Sequence, residues 1–343
     1  MASSVAPRSE NRPQTTGAPA RPETTTTQHR ELLSGLTSRP KRLATKWLYD
    51  ACGSALYTDI TRQPEYYIDE AEREIIGRHG AGIAALTRAR TLVDLGAGSG
   101  RKTRLLLDAL LTAGSLERYV PVDVSSAALR TAARALGSDY PGLRIVPYTA
   151  EFTAPLGLDP QDGPVLLTFF GATFGNLRPP ERRGFLAALR ARMRPGDGLL
   201  LGTDLVKDVA TMTSAYNDRA GVTAAFVKNG LTVLNRELDA TFRPGDFTHR
   251  VSWNPHLERV ENALQARRAH RVDLTALGRT ISFDHGELLH VGVSTKFRER
   301  GVRDEVAATD LRVSHWWTDA ARRYAVSLIT VADRTTAHGT HPH

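Results

Sequence analysis

Short apolar runs alternate with amphipathic segments between residues 91 and 206, and this alternation constrains the fold more than any other feature of the chain. The apolar runs, which have the character of buried strands, are TLVDL, RYVPVDV, LRIVPYTAEF, PVLLTFF and GLLLGTDLV. Helical patterns such as KTRLLLDALLTAG separate most of them. Strands that alternate with helices of about ten to fifteen residues form right-handed βαβ units around a parallel sheet. Residues 70–206 are therefore predicted to be a doubly wound α/β domain.

The chain on either side of this domain follows other patterns. Residues 1–30 contain little apolar surface, so we predict a disordered tail there, and residues 332–343 are predicted to form a second flexible tail. Residues 207–295 combine a helical stretch with segments that alternate as antiparallel strands do. Together with residues 31–69 they are predicted to form an α+β substrate-binding domain. Residues 296–331 offer two further strands that are expected to return to the main sheet.

Nothing in the 343 residues indicates a membrane or an oxidising compartment. No stretch reaches the roughly 20 apolar residues that a bilayer crossing needs, and the first residues lack the apolar core of a signal peptide. Cys52 is the only cysteine, which excludes an intrachain disulfide and leaves a cysteine-based zinc site without ligands. We therefore expect a cytoplasmic protein with no membrane partner and no metal.

A glycine-rich turn, GAGSG, follows the first predicted strand and opens a helix. Gly96 and Gly98 let the backbone turn tightly and approach a ligand, although the third glycine of the dinucleotide-binding pattern is replaced by an arginine. Asp123 closes the second strand, where a carboxylate binds both hydroxyls of a ribose. Glu151 and Phe152 end the third strand, where they can meet the edge and face of an adenine. A helix N-cap is the alternative role for Asp123, but the combination resembles the class I S-adenosylmethionine-dependent methyltransferase fold, which is Rossmann-like.

Four longer motifs refine this resemblance: KWLYDACGS, ITRQPEYY, FGATFGNL and LGTDLVKD. In this order they resemble the histidine Nα-methyltransferase family of ergothioneine biosynthesis, from about residue 35 to 330. The resemblance implies an enzyme that transfers one to three methyl groups from S-adenosylmethionine to the α-amine of a free amino acid and releases S-adenosylhomocysteine. Its pocket would lie between the methyltransferase core and the second domain. We expect a monomer that acts on a small-molecule substrate.

The resemblance also implies roles for individual residues. The implied cofactor contacts are Tyr49, Gly96, Lys102, Asp123, Glu151 and Phe152, and the glycine-rich turn adds Gly98. The implied substrate contacts are Asn176 and Tyr216 at the carboxylate, Gly171 and Thr173 at the amine, and Tyr66, Gly292, Val293 and Ser294 around the side chain. The resemblance makes Tyr49, Gly171 and Thr173 the candidate catalytic residues. These roles agree with the chemistry, because methyl transfer is an in-line displacement that needs mainly alignment and exclusion of water. A turn-forming Asn and a half-buried core Tyr are the alternatives for Asn176 and Tyr216.

Two positions depart from the pattern of the histidine-specific members. Gly292 stands where those members carry a glutamate that helps to hold the imidazole, and Asn262 stands where they carry an apolar methionine. A pocket that loses a carboxylate and gains volume loses discrimination for a polar ring. We therefore expect a larger side chain, with tryptophan or a related indole amino acid preferred. The alternative is a histidine enzyme that makes hercynine, in which His290 or Asn262 supplies the lost contact.

The formal net charge of +8 raises a nucleic-acid methyltransferase as a rival class. The N-terminal tail holds four Arg against two Glu, and the other arginines are scattered beside acids or on helix faces. No basic face with exposed aromatic residues is evident, so we predict no nucleic acid partner. A non-catalytic protein that keeps the fold is the other rival, and the intact set of Gly96, Asp123, Asn176 and Tyr216 argues against it.

Overall fold

The computed structural model describes residues 23–97, 101–124, 126–150 and 163–332. Its α-helices are α1 (Glu23–Thr37), α2 (Ala51–Ile60), α3 (Tyr67–Thr87), α4 (Arg101–Thr112), α5 (Ser126–Asp139), α6 (Pro179–Arg190), α7 (Val209–Ser214), α8 (Val222–Leu238) and α9 (Glu299–Ala307). Its strands are β1 (Lys41–Arg42), β2 (Thr91–Leu95), β3 (Arg118–Asp123), β4 (Arg144–Ile145), β5 (Tyr148–Thr149), β6 (Val165–Phe169), β7 (Gly198–Asp204), β8 (Phe247–Asn254), β9 (Arg259–Ala266), β10 (His270–Leu274), β11 (Arg279–Phe283), β12 (Leu288–Thr295), β13 (Leu311–Thr318) and β14 (Tyr324–Val331). Short 3-10 helices lie at Thr45–Leu48, Thr173–Asn176, Pro244–Asp246 and Thr275–Leu277. Within these ranges, no helix combines the length and apolar character that a membrane crossing requires.

The central sheet has the strand order β13-β14-β7-β6-β2-β3-β4, with β5 also paired to β3. β7, β6, β2, β3 and β4 run parallel, whereas β14 is antiparallel to β7 and β13 to β14. The predicted doubly wound α/β core is therefore confirmed, and the last two strands return to its sheet as expected. The predicted strand LRIVPYTAEF is interrupted between β4 and β5, because Pro147 lies there and has no N–H to donate.

Apolar side chains cover both faces of the central strands. Val93 and Leu95 of β2 share a buried cluster with Phe185 of α6. Leu92 of the same strand belongs to a second buried cluster, which contains Ile76 of α3. Successive residues of a strand point to opposite faces, so helices cover this sheet on both sides. That burial explains why the strands are apolar throughout instead of alternating.

The carboxylate of Asp94 is buried within β2 and joins three neighbouring elements. Its Oδ2 accepts hydrogen bonds from the hydroxyls of Thr103 in α4, at 2.6 Å, and Tyr119 in β3, at 3.0 Å. Its Oδ1 accepts a third from the hydroxyl of Thr168 in β6, at 2.6 Å. Asp94 thereby ties the first turn of α4 to the strands on either side of β2.

A second sheet has the order β1-β12-β9-β8. β9 is antiparallel to both of its neighbours, and β1 pairs with β12 in parallel. α8 packs against β8 and β9 and also against α2. β10 and β11 pair separately as an antiparallel hairpin. The antiparallel strands expected in residues 207–295 are thus observed.

The first helix corrects one boundary of the sequence prediction. α1 begins at Glu23, so the last part of segment 1–30 is helical and does not belong to a disordered tail. Leu32 is buried in the main apolar cluster, and a ring nitrogen of His29 hydrogen-bonds a backbone carbonyl near the end of α8 at 3.1 Å. The helix is held by tertiary contacts, which local composition does not reveal.

Replacing Asp94 tests the network in β2. In Asp94→Ala the three hydroxyls lose their acceptor while buried, so we expect the free energy of unfolding to fall by about 3 kcal/mol or more. Urea denaturation followed by circular dichroism measures this. Asp108→Ala in the same helix as Thr103 removes an exposed carboxylate that accepts from the Tyr140 hydroxyl, and it should cost less than about 1 kcal/mol. Equal losses in the two variants would contradict the assignment.

Candidate active site

Two turns meet at the carboxyl ends of β2 and β6. Leu95, the last residue of β2, pairs with Phe169, the last residue of β6, so the turns that follow them are neighbours. Gly96 has a φ of +72° and Gly171 a φ of +74°, conformations that favour glycine. The chain leaves β2 through α4 towards β3, whereas β6 lies on the other side of β2. Doubly wound sheets bind ligands where the strand order reverses in this way.

The predicted cofactor residues surround this point wherever the structure describes them. Asp123 ends β3, the strand next to β2, and the N–H of Gly96 donates to a β3 carbonyl at 2.8 Å. Burial raises the pKa of the Tyr49 hydroxyl, and Tyr57, Tyr216 and the Asp123 carboxylate add to the rise. A carboxylate beside an open glycine turn fits the ribose of S-adenosylmethionine. Three predicted contacts lie outside the described residues: Gly98, Glu151 and Phe152.

The buried carboxylate of Glu72 in α3 holds the second turn in place. It accepts the Gly171 N–H at 3.1 Å and the Tyr324 hydroxyl at 2.7 Å, and it forms an ion pair with Lys102. Burial alone would lower the pKa of Lys102, but Glu72 and neighbouring groups outweigh it and raise the pKa well above its usual range. Lys102, which was predicted as a cofactor contact, is thus a charged partner of the Gly171 turn. β7 accommodates the cluster because a Cβ at Gly202 would lie 2.3 Å from the Glu72 carboxylate.

The site predicted for the substrate amine is bounded by polar side chains. A Cβ built on Gly171 would lie 3.6 Å from the Thr173 hydroxyl, 3.6 Å from the Lys102 ammonium and 3.7 Å from the Tyr57 hydroxyl. The Thr173 hydroxyl donates to the Phe170 carbonyl at 2.9 Å, which leaves its oxygen free to accept. Thr173, Lys102 and Tyr57 therefore surround Gly171.

Three tyrosines form a contiguous aromatic group beside this site. The hydroxyls of Tyr57 and Tyr66 are 3.2 Å apart, and the ring of Tyr49 lies edge-on to that of Tyr57 at 5.6 Å. Phe226 of α8 completes the group, at 5.1 Å from the Tyr49 ring. Tyr49 and Tyr66 were predicted from the sequence, whereas Tyr57 was not. Its place three residues before the end of a short helix, between the KWLYDACGS and ITRQPEYY motifs, was the available signal.

A second buried carboxylate, that of Asp204, ends β7. It accepts hydrogen bonds from the Tyr67 hydroxyl at 2.9 Å and from the Lys207 ammonium at 2.6 Å, and it pairs with the Lys296 ammonium at 2.7 Å. Burial alone would raise the pKa of Asp204, but Lys296 and Lys207 outweigh it and lower the pKa. The Lys296 ammonium also donates to the hydroxyls of Tyr216 and Ser294. Two predicted substrate residues therefore rest on one buried cation that the sequence analysis missed.

Asn176 reaches the same region through close backbone packing. It ends the 3-10 helix Thr173–Asn176, which packs against β12. A Cβ on Gly175 would lie 2.6 Å from the backbone carbonyl oxygen of Thr295, so only glycine allows this approach. Asn176 is thus held next to the strand that carries Ser294, and among the described residues no hydrogen bond occupies its amide.

Position 292 has less free volume than its glycine suggests. A Cβ on Gly292 would lie 2.9 Å from the Thr45 hydroxyl, which donates to the Val291 carbonyl at 3.3 Å. Asn262 lies opposite Gly292 in the β9–β12 pair and on the same face. Its Oδ1 accepts from His249 Nε2 at 3.1 Å, which leaves the amide N–H groups without an acceptor among the described residues. Thr45 and Asn262 thus lie beside position 292, where the histidine-specific members carry a glutamate side chain.

Two neighbours of Gly292 face the other way. Val293 pairs with Glu261, and the alternation of β12 places its side chain on the face opposite to Gly292 and Ser294. A bulge between His290 and Gly292 puts His290 on that opposite face as well, where the Glu261 carboxylate counters the lowering of its pKa by burial. His290 is therefore not placed to replace the lost contact, whereas Asn262 is.

Comparison with known proteins agrees with this geometry. The family described as "Histidine-specific methyltransferase, SAM-dependent" matches residues 28–331. The chain belongs to this family. It is 47% identical over 299 residues to a histidine N-alpha-methyltransferase of Mycolicibacterium smegmatis, covering 87% of this chain and 93% of that protein. It is 48% identical, with the same coverage of both chains, to the one of Mycobacterium tuberculosis. As a member of this family it is an S-adenosylmethionine-dependent amino-acid N-methyltransferase.

The expected preference for an indole amino acid is wrong. An L-tryptophan methyltransferase from Psilocybe serbica is 29% identical to this chain, over 86% of this chain and 90% of that protein. This identity is well below that of the two histidine N-alpha-methyltransferases. The inference rested on extra volume at Gly292, and the Thr45 hydroxyl occupies part of that volume. The alternative, histidine, is the better supported substrate.

Removing Glu72 tests how the Gly171 turn is held. In Glu72→Ala, Lys102 and the turn lose their common partner, so we expect the Kd for S-adenosylhomocysteine to rise about tenfold or more, which corresponds to roughly 1.4 kcal/mol. Isothermal titration measures it, with circular dichroism to verify folding. The control Glu70→Ala lies on the same helix but is exposed and pairs only with Arg73 among the described residues, so its Kd should change less than about twofold. An unchanged Kd in folded Glu72→Ala would refute the role.

Proposed function

We propose that this protein transfers methyl groups from S-adenosylmethionine to the α-amine of free L-histidine and forms hercynine, the trimethylated product. The observation that carries the proposal is the adjacency of the Gly96 turn and the Gly171–Thr173 turn at paired strand ends, which would set a methyl donor beside an amine. The identity to two histidine N-alpha-methyltransferases supports the choice of substrate. Ergothioneine biosynthesis is the proposed context, and a monomer in the cytoplasm is the proposed state.

Two parts of the chain divide the work in this proposal. The central sheet, with residues 70–206 and 296–331, would hold the cofactor through Gly96, Lys102 and Asp123, together with Gly98, Glu151 and Phe152. Residues 31–69 and 207–295 would form the substrate-binding part, which supplies Tyr66, Tyr216, Asn262, Gly292 and Ser294, with Val293 contributing backbone only. Bound S-adenosylmethionine supplies an electrophilic methyl group on a sulfonium, and the residues of the chain align and shield the amine.

The amine would be held by acceptors, which suits a group that must present its lone pair to the methyl carbon. The Thr173 oxygen can accept an amine N–H because its own hydrogen is used by the Phe170 carbonyl. The Gly171 N–H is already committed to Glu72, so Gly171 offers its carbonyl oxygen. Tyr49, whose ring packs edge-on against that of Tyr57, would complete the enclosure. Such positioning of two reactants is the main source of rate for a displacement.

The carboxylate and the imidazole would be held along β12 and β9. Asn176 and the Tyr216 hydroxyl offer neutral donors to the substrate carboxylate. Ser294 and Asn262 lie on one face of the sheet, on neighbouring strands and two residues apart along the strand direction, which corresponds to roughly 7 Å. That separation suits the reach from the carboxylate of histidine to its ring. The Asn262 amide N–H groups would then donate to the unprotonated nitrogen of a neutral imidazole.

The direct test is turnover with free amino acids. The purified protein is incubated with S-adenosylmethionine and either histidine or tryptophan, and mass spectrometry follows the gain of one, two or three methyl groups. We expect mono-, di- and trimethylated histidine, and a kcat/KM for tryptophan lower by about 100-fold or more, since a site that pairs with polar ring atoms rejects a ring lacking them. Absence of methylated histidine under conditions that methylate another amino acid would overturn the proposal.

Asn262 provides a second test, of ring recognition. Asn262→Ala removes the proposed donor, so we expect the KM for histidine to rise about tenfold with kcat changed less than about threefold. Steady-state kinetics separates the two parameters. Glu261→Ala changes the adjacent residue on the opposite face of β9 and should leave the KM within about twofold. A KM that rises equally in both variants would indicate general damage to the sheet.

A further inference from the structure

Lys296 is completely buried, and its ammonium contacts three polar groups at the substrate end of the site. Its Nζ lies 2.7 Å from Asp204 Oδ2, 2.9 Å from the Tyr216 hydroxyl and 2.9 Å from Ser294 Oγ. An ammonium has three N–H donors and no acceptor, so these three contacts use it fully. Burial alone would lower its pKa, but Asp204 and Tyr216 outweigh burial and raise it. Lys296 is therefore a permanent cation behind the two hydroxyls.

Counting hydrogens shows what this cation does to the hydroxyls. The Tyr216 and Ser294 oxygens are 2.7 Å apart, so one of the two O–H groups donates to the other oxygen. Both oxygens also accept an N–H from Lys296, which has no lone pair to receive a hydrogen in return. One O–H hydrogen is left over and must point away from Lys296. A hydroxyl that accepts from a cation is polarised and donates more strongly to an anion.

The net charges of the two buried ion clusters also favour a carboxylate near Lys296. Asp204 is in contact with two ammonium groups, those of Lys207 and Lys296, so the cluster at the end of β7 carries one surplus positive charge. At the amine end, Lys102 faces two carboxylates, those of Asp69 and Glu72, which leaves one surplus negative charge. Glu72 approaches β7 at Gly202, two residues before Asp204. The two clusters are thus separated by roughly 7 Å along one strand and match the opposite charges of an amino-acid zwitterion.

We propose that Lys296 is a positioning residue that orients the hydrogen-bonded pair of Tyr216 and Ser294 hydroxyls, so that the one remaining O–H points to the substrate carboxylate and makes a free, ionised carboxylate a requirement for methylation. The inference rests on the proposed function, because it places an α-amino acid in this site. It adds the residue through which the enzyme would distinguish a free amino acid from an amide, an ester or a residue inside a peptide. Lys296 acts through Tyr216 and Ser294 and need not touch the substrate itself.

The test compares L-histidine with L-histidinamide, which differs only at the carboxyl group. The wild-type enzyme should prefer histidine by roughly 10- to 100-fold in kcat/KM, the expected worth of a hydrogen bond to a charged group. In Lys296→Met the preference should collapse to less than about threefold, chiefly because the KM for histidine rises while the parameters for histidinamide barely change. A variant that loses activity equally on both substrates would show a merely structural role and overturn the proposal.

Two further variants serve as controls for this test. Lys207→Met removes the other cation on Asp204, which donates to Tyr67 and not to Tyr216 or Ser294. It should keep most of the preference for histidine, and a collapse as large as that of Lys296→Met would refute positioning through the hydroxyls. If Lys296→Met fails to fold, as judged by titration with S-adenosylhomocysteine, the double variant Tyr216→Phe/Ser294→Ala removes both hydroxyls without leaving Asp204 short of a cation. It should also abolish the preference, and a full preference in this variant would refute the proposal.

Failure of the inference is distinguishable from failure of the proposed function. If the wild-type enzyme methylates histidine and its preference over histidinamide survives Lys296→Met, the function stands and the inference falls. If the wild-type enzyme methylates another amino acid in place of histidine, the same comparison with the amide of that amino acid tests Lys296 independently. Equal use of the acid and the amide by the wild-type enzyme would overturn the inference whichever amino acid is methylated.

Discussion

The buried carboxylate of Glu72 accepts hydrogen bonds from three different donors, and the rest of the site depends on this interaction. Removing a carboxylate from water costs several kcal/mol unless donors and charge compensate it. Here the compensation comes from an ammonium on α4, a hydroxyl on β14 and the backbone N–H of Gly171 after β6. These elements are far apart in the chain, so satisfying one carboxylate fixes the helix, the returning strand and the substrate turn together.

Asp94 and Asp204 repeat this design on β2 and β7, the strands on either side of β6. Asp94 gathers three hydroxyls around β2 below the Gly96 turn, and Asp204 gathers a hydroxyl and two ammonium groups at the end of β7. Each carboxylate sits towards the carboxyl end of its strand, where a doubly wound sheet binds ligands. The second sheet then supplies Ser294 from β12 and Asn262 from β9, and Lys296 directly follows β12. The aromatic group of Tyr49, Tyr57 and Tyr66 lies beside the amine site.

Much of this arrangement was predictable from local pattern. The parallel core followed from the alternation of strands and helices, and Gly96 and Asp123 followed from their positions at strand ends. The sequence analysis missed Glu72, Tyr57 and Lys296. Helical or strand periodicity shows which face of an element is buried, but it does not show which side chains of other elements contact that face. The tryptophan prediction failed for a related reason. An absent side chain at Gly292 suggests space, whereas Thr45, 247 positions earlier in the chain, fills part of it.

The sequence by itself determined the doubly wound core, the turns that require glycine, and the family, because these depend on spacing and on motifs that stay local in the chain. The tertiary structure alone decided which buried charges are paired, which hydroxyls share a cation, and which of His290 and Asn262 faces the pocket. Those outcomes depend on a bulge in β12 and on contacts between residues more than 70 positions apart, such as Tyr216 with Ser294. Burial and hydrogen-bond partners arise only when distant segments meet.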